Sequence, residues 1–344
     1  AVVASCAAVA RPEATVAELC KADLSAPKQG RYKMMLAKAM SIEDEIIALR
    51  RELHRRPATM YEEYEAQELV MKTLGELGIE STKTAITGVR ADLGAAASTS
   101  PTIVVLRADM DALPIHEEAD LDFKSEVDGV MHACGHDTHT AMLLGAAKLL
   151  KPFEESLKAD GKAVRFAFQP SEEGGAGGKM MVDEGLLDGV AASFALHTSS
   201  GDETGKIKGK HGAVNAAAGF FKLVIKGRGG HAASPHTAID PVNAAAQVVL
   251  SLNTIVGRMV DNPNSPVVIG VSSIHGGDAS NIIPEEVKIV GTIRTTSMDM
   301  MKRIQGIMRD RVEGVAGANG CTASVNFHEG EEFTNSRGEK YVKT

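Results

Sequence analysis

Apolar residues recur along the chain at two spacings, and the alternation between them outlines the fold. Ile42, Ile46, Leu49 and Leu53 fall on one helical face, behind Ser41 and Asp44 in capping-box spacing, and Pro57 ends the run. A second helical pattern covers about 62–77, with Leu69, Val70, Leu74 and Leu77 inward and Gly78 as its stop. Short apolar runs of strand type follow at 102–106, 163–168 and 190–196, separated by helical stretches at 138–150 and about 177–186. This alternation predicts an α/β domain with a largely parallel sheet, in which ligands gather beyond the carboxyl ends of the strands. Each run leads into polar residues: Arg107, Asp109 and Asp111; then Gln169, Glu172 and Glu173; then His197.

After Gly209 the pattern changes. Strands are expected at 220–226, 267–274, 286–294 and 322–327. One helix runs from an Asp240 cap with Pro241 at its first position to about 259, and another spans about 298–315. The order β-α-β-β-α-β is that of a ferredoxin-like sandwich. Residues 1–40 show no sustained periodicity and read as a leader with a poorly defined first segment. The expected organisation is therefore a leader over 1–40, a catalytic domain over 41–213, a second domain over 214–329 and a short stub over 330–344.

Composition narrows the function. The 344 residues carry 37 Lys and Arg against 45 Asp and Glu, a net charge of −8, which argues against nucleic acid or an anionic membrane as the main partner. Four cysteines in this length make no disulfide framework, and no apolar run approaches the length of a membrane span. The opening AVVASCAAVA fits either the remnant of a targeting peptide or an unstructured leader, so the compartment stays open.

The densest chemistry lies in GVMHACGHDTHTAMLLGAAKLL, residues 129–150, where Cys134, His136 and His139, with His132 and Asp137, feed into an apolar helix. Thiolate and imidazole two residues apart suit zinc or a similar borderline metal. Glu172 and Glu173 end a strand; adjacent side chains of an extended segment point opposite ways, leaving one to bind metal and one free to take a proton from water. His197 closes a third strand, and Asp109 and Asp111 stand where carboxylates orient ligands. Each position has an ordinary alternative: a buried cysteine beside surface histidines, a solvated acidic pair, aspartates that cap a turn. Gly227-Arg-Gly-Gly-His231 is no phosphate loop, since Pro235 intervenes before the next helix; it presents His231 or His236 as a hydrogen-bond donor. Arg294 is placed to clamp a carboxylate, and Asn281 is either a recognition residue or a turn former.

LRADMDALPIHEE, MHACGHDTHTAMLLGAAKLL, FQPSEEGGAGGKMMVDEGLL, GRGGHAASPHTAIDP, NIIPEEV and GTIRT, in this order, resemble the M20 family of metallopeptidases over about 40–330. The similarity is to its amidohydrolase branch of hippurate, N-acetyl-diaminopimelate and auxin-conjugate hydrolases. The resemblance implies a zinc-peptidase-like catalytic domain with a mostly parallel sheet and an inserted ferredoxin-like lid through which two copies dimerise. It implies up to two divalent ions, Mn2+ or Zn2+ with Co2+ or Ni2+ as further candidates, held by Cys134, His136, Glu173 and His197. Glu172 matches the general base, His231 a lid histidine that stabilises the transition state, and Asn281 and Arg294 lid positions of substrate recognition. Arg107 stands where other branches carry a ligand histidine, two residues before Asp109. The implied substrate is a small N-acyl amino acid; a dipeptidase or carboxypeptidase, or an inactive truncated homologue, is the alternative. The family pattern continues past the lid to a last ligand histidine, whereas here sixteen residues follow His328 and none is a histidine. The chain thus reads as a fragment, expected to hold one ion tightly and a second weakly, with an apolar face of its sheet uncovered.

Overall fold

The computed structural model describes residues 2–4, 28–96, 99, 102–209, 216–327 and 331–343. It divides into two compact units, 1–210 with 332–344, and 211–331. The expected boundary near 213 falls among residues 210–215, outside the described residues, as do His328 and residues 5–27 of the leader. No described helix is long and apolar enough to cross a membrane.

The first unit contains β1 (Val2–Ala4), α1 (Lys28–Ser41), α2 (Glu43–Arg55), α3 (Tyr64–Glu76), β2 (Ser81–Thr84), β3 (Gly88–Gly94), β4 (Thr102–Asp109) and α4 (His136–Leu150). It continues through α5 (Glu154–Ala159), β5 (Lys162–Gln169), α6 (Gly177–Asp183), β6 (Val190–His197) and β7 (Ile207–Gly209). The strands form one sheet in the order β2-β3-β5-β4-β6-β1-β7. It is mixed rather than largely parallel: β5, β4, β6 and β1 run parallel, while β2, β3 and β7 are added antiparallel. Strand β2 escapes the apolar pattern because it reads Ser-Thr-Lys-Thr and lies half in solvent, while β3 alternates buried Val89, Ala91 and Leu93 with Arg90 and Asp92.

The two-residue period of the strands divides the core. Phe166 and Phe168 of β5 face a cluster with Leu53, Val70, Leu74, Leu144 and Ala147 from α2, α3 and α4. Ala167, between them, faces the other way, onto Val105, Met181 and Leu186. β6 is different. Although it has strands on both sides, Phe194 is 56% exposed and Leu196 38% exposed. With Leu106, Met142, Leu143 and Ala146 they line an open apolar cavity of about 290 Å³.

Two helix boundaries correct the sequence reading. Ser41 does not open a helix: its hydroxyl donates to the Lys38 carbonyl at 2.7 Å, closing α1. α2 starts at Glu43 without a side-chain cap, and Glu43, Asp44 and Glu45 in its first turn meet the positive end of the helix dipole instead. α1 itself lies where no element was expected.

The second unit comprises β8 (Ala217–Lys226), β9 (Gly230–His231), α7 (Pro241–Met259), β10 (Val267–His275), β11 (Ile282–Ile283), β12 (Glu286–Thr295), α8 (Met298–Ala318) and β13 (Thr322–Asn326). Its main sheet is antiparallel in the order β10-β12-β8-β13, the strand arrangement of a split β-α-β sandwich. The Asp240 carboxylate accepts from the Val242 and Asn243 amides, and Pro241 opens α7 as its spacing predicts. Val248, Leu252 and Ile255 of α7 and Ile304 and Met308 of α8 close a core over Leu223, Ile289 and Ile293.

The chain ends in a hairpin, β14 (Glu331–Thr334) and β15 (Lys340–Lys343), whose residues from 332 on belong to the first unit. Asn335 at its turn donates to the Tyr61 carbonyl at 3.0 Å, and the Ser336 amide donates to Glu62 at 2.6 Å. Tyr341 packs against Tyr61 with ring centroids 4.4 Å apart.

Candidate metal centre

β4, β5 and β6 are parallel neighbours, so the polar residues at their ends meet at the first turn of α4. Gly135 makes the turn into that helix with φ +84°, and a Cβ there would stand 2.4 Å from the Thr198 hydroxyl. That hydroxyl donates to the Cys134 carbonyl at 3.2 Å, tying the loop before α4 to the end of β6. Cys134 Sγ consequently lies 3.4 Å from His197 Nε2.

His136 is the centre of the arrangement. Its ring is fully buried, and Nδ1 lies 3.2 Å from Asp111 Oδ1. Asp111 also accepts the Glu173 amide at 2.9 Å through its other oxygen. His136 Nε2 is buried with no hydrogen-bond partner among the described residues. Around it stand Asp109 Oδ2 at 3.6 Å and Glu172 Oε2 and Glu173 Oε1, each at 4.0 Å. Donor atoms of Cys134, His136 and His197 lie within 4.8 Å of one another, as do those of Asp109, His136 and His139, and those of His136, Glu172 and Glu173. An orphaned imidazole nitrogen ringed by a thiol and carboxylates fits a divalent cation, and the mixed S, N and O donors suit Zn2+ or Mn2+.

The three groups are not equivalent. His139 Nδ1 lies 2.6 Å from Asp109 Oδ1, and its Nε2 accepts the Thr198 amide at 2.8 Å. An N–H donor at Nε2 fixes the proton on Nδ1, so both nitrogens are used and the ring braces Asp109 against the end of β6. Asp109 also pairs with Arg107, 2.7 Å away though off hydrogen-bond direction, and Arg107 in turn donates to Gln169.

The Glu172–Glu173 pair departs from the sequence reading. The segment is a turn, entered through Ser171 at φ +50°, not an extended strand. Both carboxylates therefore approach His136 instead of pointing opposite ways. Their exposure differs: the Glu172 side chain is 42% exposed and that of Glu173 25%.

The electrostatics follow from the packing. Burial, then the Asp109 and Glu173 charges, raises the Glu172 pKa. The neighbouring His136 imidazole, and then the His197 ring beside the sulfur, lower that of the Cys134 thiol. Burial would raise Asp109, but the His139 hydrogen bond and the Arg107 charge hold it below the usual carboxylate range.

Behind α4 lies a polar cluster that sequence reasoning missed. His54 Nδ1 lies 2.7 Å from Asp137 and Nε2 2.9 Å from Glu117, with all three buried. Two carboxylates facing both ring nitrogens favour the imidazolium. The Asp137 hydrogen bond raises the His54 pKa most, against the opposing effect of burial. Arg50 adds a second cation at Asp137, 2.8 Å away. In sequence His54 follows Leu53 but stands one helical turn after Arg50 and Arg51, a spacing that reads as a solvated face. His132 is buried nearby with Nδ1 unpartnered among the described residues, and burial lowers its pKa to about 4.

His231, Asn281 and Arg294 all lie in the second unit. His231 of β9 pairs with Ile282 of β11, and the Ala232 amide donates to the Asn281 carbonyl at 3.0 Å, which brings two of the three together. Arg294, on β12, is half-buried with Nη1 unpartnered among the described residues.

Residues 105–338 match the profile described as Peptidase family M20/M25/M40. The chain belongs to peptidase family M20. Among relatives of this M20 chain, the IAA-amino acid hydrolase ILR1-like 5 of Arabidopsis thaliana is 43% identical over 299 residues, 87% of this chain and 67% of that protein. Thermostable carboxypeptidase 2 of Saccharolobus solfataricus is 41% identical over 291 residues, 84% of this chain and 73% of its own length. The solved structure of Bacillus subtilis YXEP protein, described as a dinuclear metal binding peptidase from the M20 family, superposes with a TM-score of 0.68 at 34% identity. That match covers 83% of this M20 chain and 74% of the other. The M20 chain thus spans between two thirds and three quarters of the length of these proteins.

Proposed function

We propose that this M20 chain is a metal-dependent amidohydrolase that cleaves the amide bond of small N-acyl amino acids. The observation that carries the reading is the orphaned, buried His136 Nε2 beside two carboxylates, of which Glu172 is the more exposed. Relatives named as hydrolases of amino-acid conjugates and of peptides support amide C–N cleavage. In this reading Cys134, His136, Glu173 and His197 hold up to two divalent ions, Zn2+ or Mn2+ first and Co2+ or Ni2+ after them. A cation bound there supplies Lewis-acid polarisation of the scissile carbonyl and acidifies water.

The chain's own residues supply the proton traffic and the orientation. Glu172, its carboxyl pKa raised by burial, takes the proton of the attacking water and returns it to the leaving amine. Asp111 orients the His136 ring and holds the Glu173 backbone, while His139 keeps Asp109 in place. The catalytic domain over 41–213 and a lid over 214–329 remain the working division. In the lid, His231 would stabilise the oxyanion, and Asn281 and Arg294 would grip the substrate, Arg294 through its carboxylate. Arg294 Nη1, unpartnered among the described residues, supports that assignment. Dimerisation through the lid is part of the proposal: β10 is an edge strand, with Val268 59% exposed.

A second reading, a dipeptidase or carboxypeptidase, is favoured by the carboxypeptidase relative. One experiment separates the two. Protein reconstituted with Zn2+ or Mn2+ is offered N-acyl amino acids and matched dipeptides with free amino termini, and released amino acid is measured. Turnover of the acylated series supports the proposal; turnover of dipeptides alone replaces it with the second reading, and no turnover of either contradicts both.

A further inference from the structure

We propose that Glu63 is a positioning residue for the Glu172–Glu173 turn, fixing the backbone just before Glu172 as Asp111 fixes it just after. The inference rests on the metal-centre reading above. Glu63 precedes α3, more than a hundred residues upstream of the turn, and is 0% exposed. One carboxylate oxygen accepts the Ser171 amide at 2.8 Å, and the other accepts the Thr87 hydroxyl. The Glu173 amide donates to Asp111 at 2.9 Å, so the residues on both sides of Glu172 are held by buried carboxylates.

The turn needs such support. Ser171 and Ala176 adopt φ +50° and +53°, a left-handed conformation that non-glycine residues keep only where the surroundings over-determine it. Gly175 is crowded from the same side: a Cβ there would stand 1.9 Å from the Ser171 hydroxyl and 2.5 Å from the Tyr61 ring. Tyr61, two residues before Glu63, donates its hydroxyl to the Gly175 carbonyl at 2.6 Å. Glu63 and Tyr61 thus grip both ends of the loop that carries the two glutamates.

Burying an ionisable group is costly unless hydrogen bonds offset it, and Glu63 accepts from both Ser171 and Thr87. Burial, partly offset by the Thr87 hydrogen bond, pushes the Glu63 pKa up to about 7. Either protonation state still offers an oxygen to the Ser171 amide. A glutamine would do the same and donate to Thr87, so the two hydrogen bonds, not the charge, are the part that matters.

The test is Zn2+ affinity by calorimetric titration of the whole chain, with melting temperature measured beside it. Glu63→Ala is expected to weaken Zn2+ binding about 10–100-fold, the usual effect of removing support behind a ligand. Glu63→Gln should restore the parental affinity. Leu74→Ala, a cavity in the fully buried core face of α3, supplies a comparable loss of melting temperature without touching the turn and should leave affinity unchanged. Parental affinity in Glu63→Ala, equal weakening in Leu74→Ala, or failure of the glutamine to restore binding would each overturn the inference. If Glu63→Ala does not fold, Glu63→Asp withdraws the carboxylate by one methylene: weaker binding at a near-parental melting temperature supports the role, and parental binding refutes it. Glu173→Ala separates the two levels. If it loses Zn2+ while Glu63→Ala does not, the inference alone fails; if neither loses it, the metal-centre reading fails and takes the inference with it.

Discussion

Cys134 and His197, sixty-three residues apart in sequence, meet with Sγ and Nε2 3.4 Å apart. The contact joins the loop before α4 to the end of β6, and the imidazole beside the thiol helps to lower the Cys134 pKa. If the pair holds a cation, Cys134→Ser and His197→Ala should each reduce bound zinc and amide hydrolysis together. Elemental analysis of the purified variants is the check. Unchanged zinc content in both would make the pair an ordinary thiol–imidazole hydrogen bond.

Asp111 should matter to the metal without touching it. It accepts from both the His136 ring and the Glu173 amide. An asparagine in its place could satisfy only one of them, since its NH2 would face a donor. Asp111→Asn is therefore expected to weaken metal binding about 10–100-fold. Calorimetric titration giving the parental affinity would remove Asp111 from the support of the site.

The His54 cluster predicts a pH dependence of a definite sign. The folded-state pKa of His54 is raised above 6.5, so the stabilisation it confers is complete below that value. It is lost as pH rises through the folded-state value. His54→Asn, which leaves Asp137 and Glu117 without their shared cation, should cost about 3–5 kcal/mol near pH 6. The deficit in denaturant melts should shrink as the pH is raised well beyond the folded-state value. An equal deficit at both ends would mean that His54 serves by packing alone.

The uncovered face of β6 predicts association. Phe194 is 56% exposed beside Leu196 and the apolar cavity against α4. Exposed apolar patches of this kind drive self-association and dye binding. Phe194→Ser should lower binding of a hydrophobic dye and reduce the species larger than a dimer in sedimentation at matched concentration. No change in either would show that the face is inert.

Much of this architecture was legible in the apolar pattern. The runs at 102–106, 163–168 and 190–196 lie within strands β4, β5 and β6, which deliver Asp109, the Glu172–Glu173 turn and His197 to one place. The Asp240-Pro241 start of α7 and the β-α-β-β-α-β order were equally plain, because caps and periodicity are local. What escaped was set by distant partners. The β2–β3 hairpin is polar along β2, and β3 alternates Val89, Ala91 and Leu93 with Arg90 and Asp92, a short pattern that does not reveal its antiparallel pairing with β5 and hence the mixed sheet. The Glu172–Glu173 turn takes its shape from Ser171 and from Glu63, 108 residues from Ser171 in sequence. His54 is buried only because Asp137 and Glu117 arrive to pair with it. A polar side chain in a helical pattern announces solvent until its partners are known.

The proposed chemistry turns on Glu172 as the proton acceptor at a metal-holding site. Glu172→Gln isolates that role, with zinc content and the turnover of an N-acyl amino acid measured on the same preparation. The expected result is parental zinc content with kcat lower by about 10²–10⁴-fold, since an amide cannot take the proton from water. Parental turnover, or turnover that falls only in proportion to lost zinc, would refute the assignment.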